Sequence, residues 1–146
     1  MFKHILIGFD GSAHARDAFA TAVEMSTVLG SHLTVMQILP SYESAFASPY
    51  VQPHAPTREL YESRALASAQ QALAAPLEAA RTRGIECDAV FRFASDAQRA
   101  LLDHARGTDC DLIVLGARGP AGTEPMLLGH DAASILLHAR VPVLVS

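Results

Sequence analysis

Two short stretches of this chain bring together residue types that could hold a phosphorylated ligand. Asp10-Gly11-Ser12 sets a carboxylate, a glycine and a hydroxyl directly after the apolar run FKHILIGF. Further on, Gly116 and Gly119 are separated by two residues, and Gly129 follows Gly119 after nine more. Small residues let a backbone approach a ligand closely, and inward-facing N–H groups can cradle phosphate oxygens. A helix starting near Gly129 would add the positive end of its dipole at the same place. Each feature has a purely structural reading as well. Asp before Gly-Ser is ordinary turn chemistry, and glycines in a strand-to-helix turn are common for steric reasons. What favours a ligand is position: the glycines follow a predicted strand and precede a predicted helix.

The elements that must position these residues follow from periodicity. Phe2 to Phe9 is a short, nearly continuous apolar run, as expected of a strand covered on both faces. From Ser12, Ala15, Ala18, Phe19, Ala22, Val23 and Met25 recur at helical spacing until Gly30, with Ser12 as N-cap and Gly30 as stop. His32 to Leu39 reads as a second strand ended by Pro40, and Pro40 to Pro56, with four prolines and no period, as a long loop that could cover a site. Thr57 to Arg83 is built of strong helix formers, with Pro76 expected to kink it and Gly84 closing it. A strand over Ile85 to Phe93, a helix over Ser95 to Gly107, a strand over Asp111 to Leu115, a helix over Asp131 to His138 and a last strand over Val141 to Ser146 complete the series. Alternation of this kind implies a mostly parallel sheet with helices on both faces. Its ligands are expected at the carboxyl ends of the strands, where the strand order reverses. The Asp10 turn and the glycine loop should then lie side by side.

Composition narrows the possibilities. The 146 residues are half hydrophobic and 18% charged, the balance of a folding domain, and residues 1–146 are expected to form one. A net charge of −4, one lysine (Lys3) and scattered arginines argue against a sequence-independent nucleic-acid binder. Arg81-Thr82-Arg83 is the nearest approach to a basic cluster and suits a helix C-terminus; His138 is read as a dipole partner in the same way. Cys87 and Cys110 have no CxxC spacing and are expected to be reduced. The apolar stretch before Asp10 is too short for a signal peptide or a membrane span, so no membrane association and a cytoplasmic location are expected.

With these residues in view, the sequence resembles the universal stress proteins along essentially its whole length. The likeness rests on KHILIGFDGS, LTVMQILP, DCDLIVLGARG, the nine-residue gap to LLGH, and the ending ILLHARVPVLVS. Nucleotide-binding members of that family carry Gly, two residues, Gly, nine residues, Gly, then Ser or Thr. Gly116, Gly119 and Gly129 fit that pattern, Arg118 matches a basic residue often found between the first two, and His130 stands in the Ser or Thr position. The resemblance implies an open five-stranded parallel sheet of order 3-2-1-4-5, Rossmann-like, with an adenine nucleotide, ATP or AMP, at its carboxyl edge. Magnesium would be an optional companion. It further implies Asp10, with Gly11 and Ser12, near the adenosine part, the Ile38 backbone beside the base, and Gly116, Arg118, Gly119, Gly129 and His130 at the phosphates. A homodimer through the last strand, Val141 to Ser146, is implied too, and a stress sensor or regulator with an unidentified protein partner.

The departures matter chemically. His130 replaces a hydroxyl donor, Glu124 places a carboxylate where phosphate would be repelled, and Pro125 gives up a backbone donor. Binding is therefore expected to be weakened or shifted toward fewer phosphates. The alternative is a dimeric interaction module of the same family without nucleotide. An electron-transfer or phosphopantetheine-type protein on the same sheet edge ranks below both. No GxxxxGK[ST] loop, Gly-x-Ser-x-Gly elbow or metal-ligand spacing occurs, so a binder is expected, with nucleotide hydrolysis slow at most.

Overall fold

The apolar run at the head of the chain extends as strand β1, His4–Phe9, in which Ile5, Leu6 and Ile7 are fully buried. Because successive side chains point to opposite faces, such a strand needs cover on both. A computed structural model describes residues 1–47, 54–117 and 130–146, with the backbone alone for 130 and 131. In it β1 is the centre of a five-stranded sheet with β2 (His32–Pro40), β3 (Cys87–Ala94), β4 (Leu112–Leu115) and β5 (Val143–Val145). The order is β3-β2-β1-β4-β5 and every pairing is parallel, as expected.

Helices α1 (Ala13–Leu29) and α3 (Arg58–Thr82) bury Ala15, Ala18, Phe19, Leu73 and Leu77 on one face, against Ile5, Ile7, Leu33, Val35 and Val114. Helices α4 (Ala97–Gly107) and α5 (His130–His138) cover the other face, where Leu101, Leu102, Ala132 and Ile135 meet Leu6, Met36, Ile113 and Leu115. The chain winds outward from β1 through β2 to β3, then crosses back to β4. Right-handed crossovers then put the first two long helices and the last two on opposite faces. The strand order therefore reverses between β1 and β4.

Several boundaries differ from the sequence-based expectation. The fourth helix begins at Ala97 rather than Ser95, because Asp96 acts as its N-cap and accepts from the Arg99 N–H at 3.0 Å. Strand β3 begins at Cys87 rather than Ile85, since Gly84 takes a left-handed turn (φ +78°) and Ile85 N–H still bonds back to the Ala80 carbonyl. Asp111 stands before β4, its two oxygens accepting the N–H groups of Lys3 and His4. Strand β5 is three residues, shorter than Val141 to Ser146. The segment expected as loop contains a one-turn helix, α2 (Tyr42–Ala45), capped by Ser41. Helix α3 runs through Pro76.

Both cysteines are free and buried, Cys87 on the α1/α3 side of the sheet and Cys110 on the α4/α5 side. Burial pushes the Cys87 thiol up to about 11 and raises that of Cys110 as well. The Arg81-Thr82-Arg83 stretch is used internally: Arg81 donates twice to the Cys87 carbonyl (3.2 and 3.0 Å), and Arg83 pairs with Glu24 at 2.7 Å. No helix among the described residues is long and apolar enough to cross a membrane.

Candidate functional site

Only three residues separate β1 from α1, and each has a task in the turn. Asp10 Oδ1 accepts from the Ser12 N–H at 2.9 Å, Gly11 takes φ +82°, and Ser12 Oγ accepts from the Ala15 N–H at 3.1 Å. A side chain at Gly11 would meet no atom but would be strained by that φ. Arg16 Nη2 closes the turn from outside, donating to the Gly11 carbonyl at 2.9 Å. Asp10 is solvent-exposed, so the turn bond to Oδ1 does not bury the carboxylate. Helix α1 has no acidic residue in its first turn, so the positive end of its dipole is not offset there.

Gly116 leaves β4 directly against this turn. A Cβ built on it would lie 2.9 Å from both the carbonyl carbon and oxygen of His14 and 3.1 Å from the Ala15 nitrogen. No side chain fits, and the start of the glycine loop is pressed onto the first turn of α1. The steric reading of this glycine is therefore satisfied, and the same contact brings the two sequence features side by side. The exit is held from the other side by β5: Ala117 N–H donates to the Ser146 carbonyl at 2.7 Å and Ser146 N–H to Leu115 at 2.9 Å.

Ile38 lies in β2 one residue beyond the point where the ladder to β1 ends, at the Phe9–Gln37 pair. Its half-buried side chain packs on the α4/α5 face, and its backbone stands at the carboxyl edge beside the Asp10 turn. Arg118, Gly119 and Gly129 fall outside the described residues, as do Glu124, Pro125 and the side chain of His130; the backbone of His130 begins α5. His138, in the last turn of α5, uses Nδ1 on the Ser134 carbonyl at 2.8 Å, in keeping with its expected place at a helix end. Among the described residues no group of three or more His, Cys, Asp or Glu is placed to hold a metal ion.

Two features of this edge escaped the sequence reading. The rings of Tyr42 and Phe46 lie 4.9 Å apart with their planes tilted by 46°, and both reach Tyr61 of α3, which in turn meets Phe93 at the end of β3. Tyr61 and Tyr42 hydroxyls donate to the Pro40 and Pro56 carbonyls, and Arg58 lies 5.2 Å over the Tyr42 ring. The rings in the aperiodic segment were the available signal, but their partner on α3 lies beyond any local pattern. The second is Gln37, whose Oε1 is buried with no hydrogen-bond partner among the described residues; one polar residue in an apolar strand carries no such warning.

Comparison with known proteins bears on the whole chain. The family model described as "Universal stress protein family" matches residues 1–146. A universal stress protein of Thermus aquaticus, described as lying in the QAH/OAS sulfhydrylase 3′ region, is 29% identical over 145 residues, covering 99% of this chain and 98% of that one. Among solved structures, a universal stress family protein from Burkholderia pseudomallei superposes with TM-score 0.76 at 22% identity, covering 99% and 96%. One from Archaeoglobus fulgidus, solved in complex with dAMP, gives 0.66 at 17%, covering 99% and 97%. The last two are likenesses of fold. With residues 1–146 matched throughout, this chain belongs to the universal stress protein family.

Proposed function

We propose that this chain binds an adenine nucleotide, ATP or AMP, in the crevice between β1 and β4 and acts in the cytoplasm as a stress-response sensor or regulator rather than a catalyst. The observation that carries the reading is the contact of Gly116 with the first turn of α1. It starts the glycine-spaced loop on a helix N-terminus at the reversal of strand order, where ligands of open α/β sheets bind. In this reading Asp10, Gly11 and Ser12 meet the adenosine part, the Ile38 backbone lies beside the base, and Gly116, Arg118, Gly119, Gly129 and His130 surround the phosphates. Magnesium, where it takes part, would arrive on the phosphates. The dAMP complex of the Archaeoglobus relative supports the choice of ligand class. Glu124, Pro125 and His130 weaken the hold on a triphosphate, and its hydrolysis is at most slow.

Calorimetry with ATP and with AMP in the presence of magnesium, on protein verified free of co-purified nucleotide, tests this. Micromolar binding abolished by Gly119→Val is expected. No binding of either nucleotide by folded protein would overturn it in favour of an interaction module without nucleotide, the reading that Glu124, Pro125 and His130 favour. The protein is further proposed to form a homodimer through Val141 to Ser146. Among the described residues strand β5 ends the sheet with nothing paired to its outer edge, and Leu137 on the neighbouring helix is 80% exposed. A single species of monomer mass in sedimentation at micromolar concentration would refute the dimer.

A further inference from the structure

Gln37 occupies the level at which β1 ends. It pairs with Phe9 on one side and Phe91 on the other, and by strand alternation its side chain shares the face of Leu33 and Val35, toward α1 and α3. Phe9 leads directly into Asp10, and Ile38 follows Gln37, so this amide stands within the row of residues that edges the proposed site.

Most of the other polar side chains with buried atoms in the sheet region have partners among the described residues. Thr34 Oγ1 lies 2.8 Å from His4 Nε2, and Ser31 Oγ donates to the Phe2 carbonyl. His32 Nε2, though without an aligned hydrogen bond, has the Asp88 carboxylate at 2.9 Å, and the unpartnered Ser26 Oγ belongs to the far, amino end of the sheet. Gln37 Oε1 is the one unpartnered buried atom at the carboxyl edge among the described residues. A leucine or methionine of similar volume would fill that space without stranding a carbonyl, so packing gives no reason for an amide at this half-buried position. Among the described residues no hydrogen bond holds the carbonyl inward, so turning the amide toward the edge breaks none.

We infer that Gln37 recognises the amino edge of the bound base, its amide turning outward so that Oε1 accepts from the 6-amino group of adenine while Nε2 donates to the adjacent ring nitrogen. An amide presents one acceptor and one donor at the spacing of those two groups, which is how Gln and Asn read adenine elsewhere. The inference rests on the adenine-nucleotide reading above and names the side chain that selects the base.

The test compares AMP with purine riboside 5′-monophosphate, which lacks only the 6-amino group, by calorimetry on wild type, Gln37→Leu and Gln37→Met, with a melting temperature for each. Wild type should prefer AMP by about tenfold, the scale of one to two net hydrogen bonds. Both variants should bind the two ligands equally while melting no lower than wild type. A preference that survives in folded variants, or its absence in a wild type that does bind AMP, overturns the inference and leaves nucleotide binding standing. A wild type that binds neither ligand overturns the underlying reading and this inference with it.

Discussion

Replacing Gly116 by alanine perturbs one methyl group and should be felt across the domain. The added Cβ would sit 2.9 Å from two backbone atoms of His14 and 3.1 Å from the Ala15 nitrogen, against ordinary heavy-atom contacts of about 3.5–4.0 Å. These neighbours are main chain in a helical turn and cannot rotate aside. Relief requires the N-terminus of α1 to shift by several tenths of an ångström, which loosens Ala15, Ala18 and Phe19 in the core. Overpacking of this kind costs about 1–3 kcal/mol. Gly116 is not in the left-handed region, so alanine is allowed there and recovers roughly 0.4–1 kcal/mol by restricting the unfolded chain. The balance is a loss of about 1–2 kcal/mol, or a fall in Tm of about 3–6 °C for a chain of this length. Thermal melts followed by circular dichroism or calorimetry measure it, with Gly8→Ala as a control. A Cβ at Gly8 would crowd the end of the flexible Leu115 side chain, at 2.8 Å, and meet Leu101 Cδ2 at an ordinary 3.5 Å, with no backbone atom in the way, so its cost should be smaller. A Gly116→Ala protein melting at or above wild type would refute the claim that this glycine is a packing contact between loop and helix.

Two further outcomes follow from the same structure. Ser12→Ala removes the hydroxyl that accepts from the Ala15 N–H and should cost about 1 kcal/mol in denaturant melts, with Ser12→Asp restoring most of it; equal stability of all three would show that the cap is not formed. His104 is held below its ordinary range by burial first, then by Arg92 and His4, so near its unfolded pKa the unfolded chain binds more protons than the folded one. Stability should decline as pH falls from about 6.5 through the lowered folded value and then level off. That decline should be shallower in His104→Gln, and identical pH profiles for the two proteins would contradict it.

Much of the architecture was legible because it is written locally. The run Ile5 to Ile7, apolar without alternation, called for a strand covered on both faces, and it lies fully buried at the centre of the sheet. Gly30, at φ +68°, ends α1 where a left-handed residue was needed, and Ser12 starts the same helix as a cap. The places where the reading slipped are also local in origin but settled by distant partners. Ile85 looks like the start of a strand, yet it is drawn into the core at the end of α3 and leaves pairing to begin at Cys87.

The candidate site divides in the same way. Asp10, Gly11 and Ser12 could be picked out because a turn between a strand and a helix has a short menu of residues. That Gly116 is needed for contact with His14, that Gln37 has a buried carbonyl with no partner among the described residues, and that Tyr61 closes an aromatic cluster with Tyr42 and Phe93 could not. Periodicity, caps and glycine spacing act over a few residues and are set by the chain's own backbone, so the sequence by itself determined the order and type of the five strands and the four long helices, though not of the one-turn α2. Which side chains meet across the sheet depends on strand register and on the side from which each helix returns, and those are decided only when all the apolar faces are buried together.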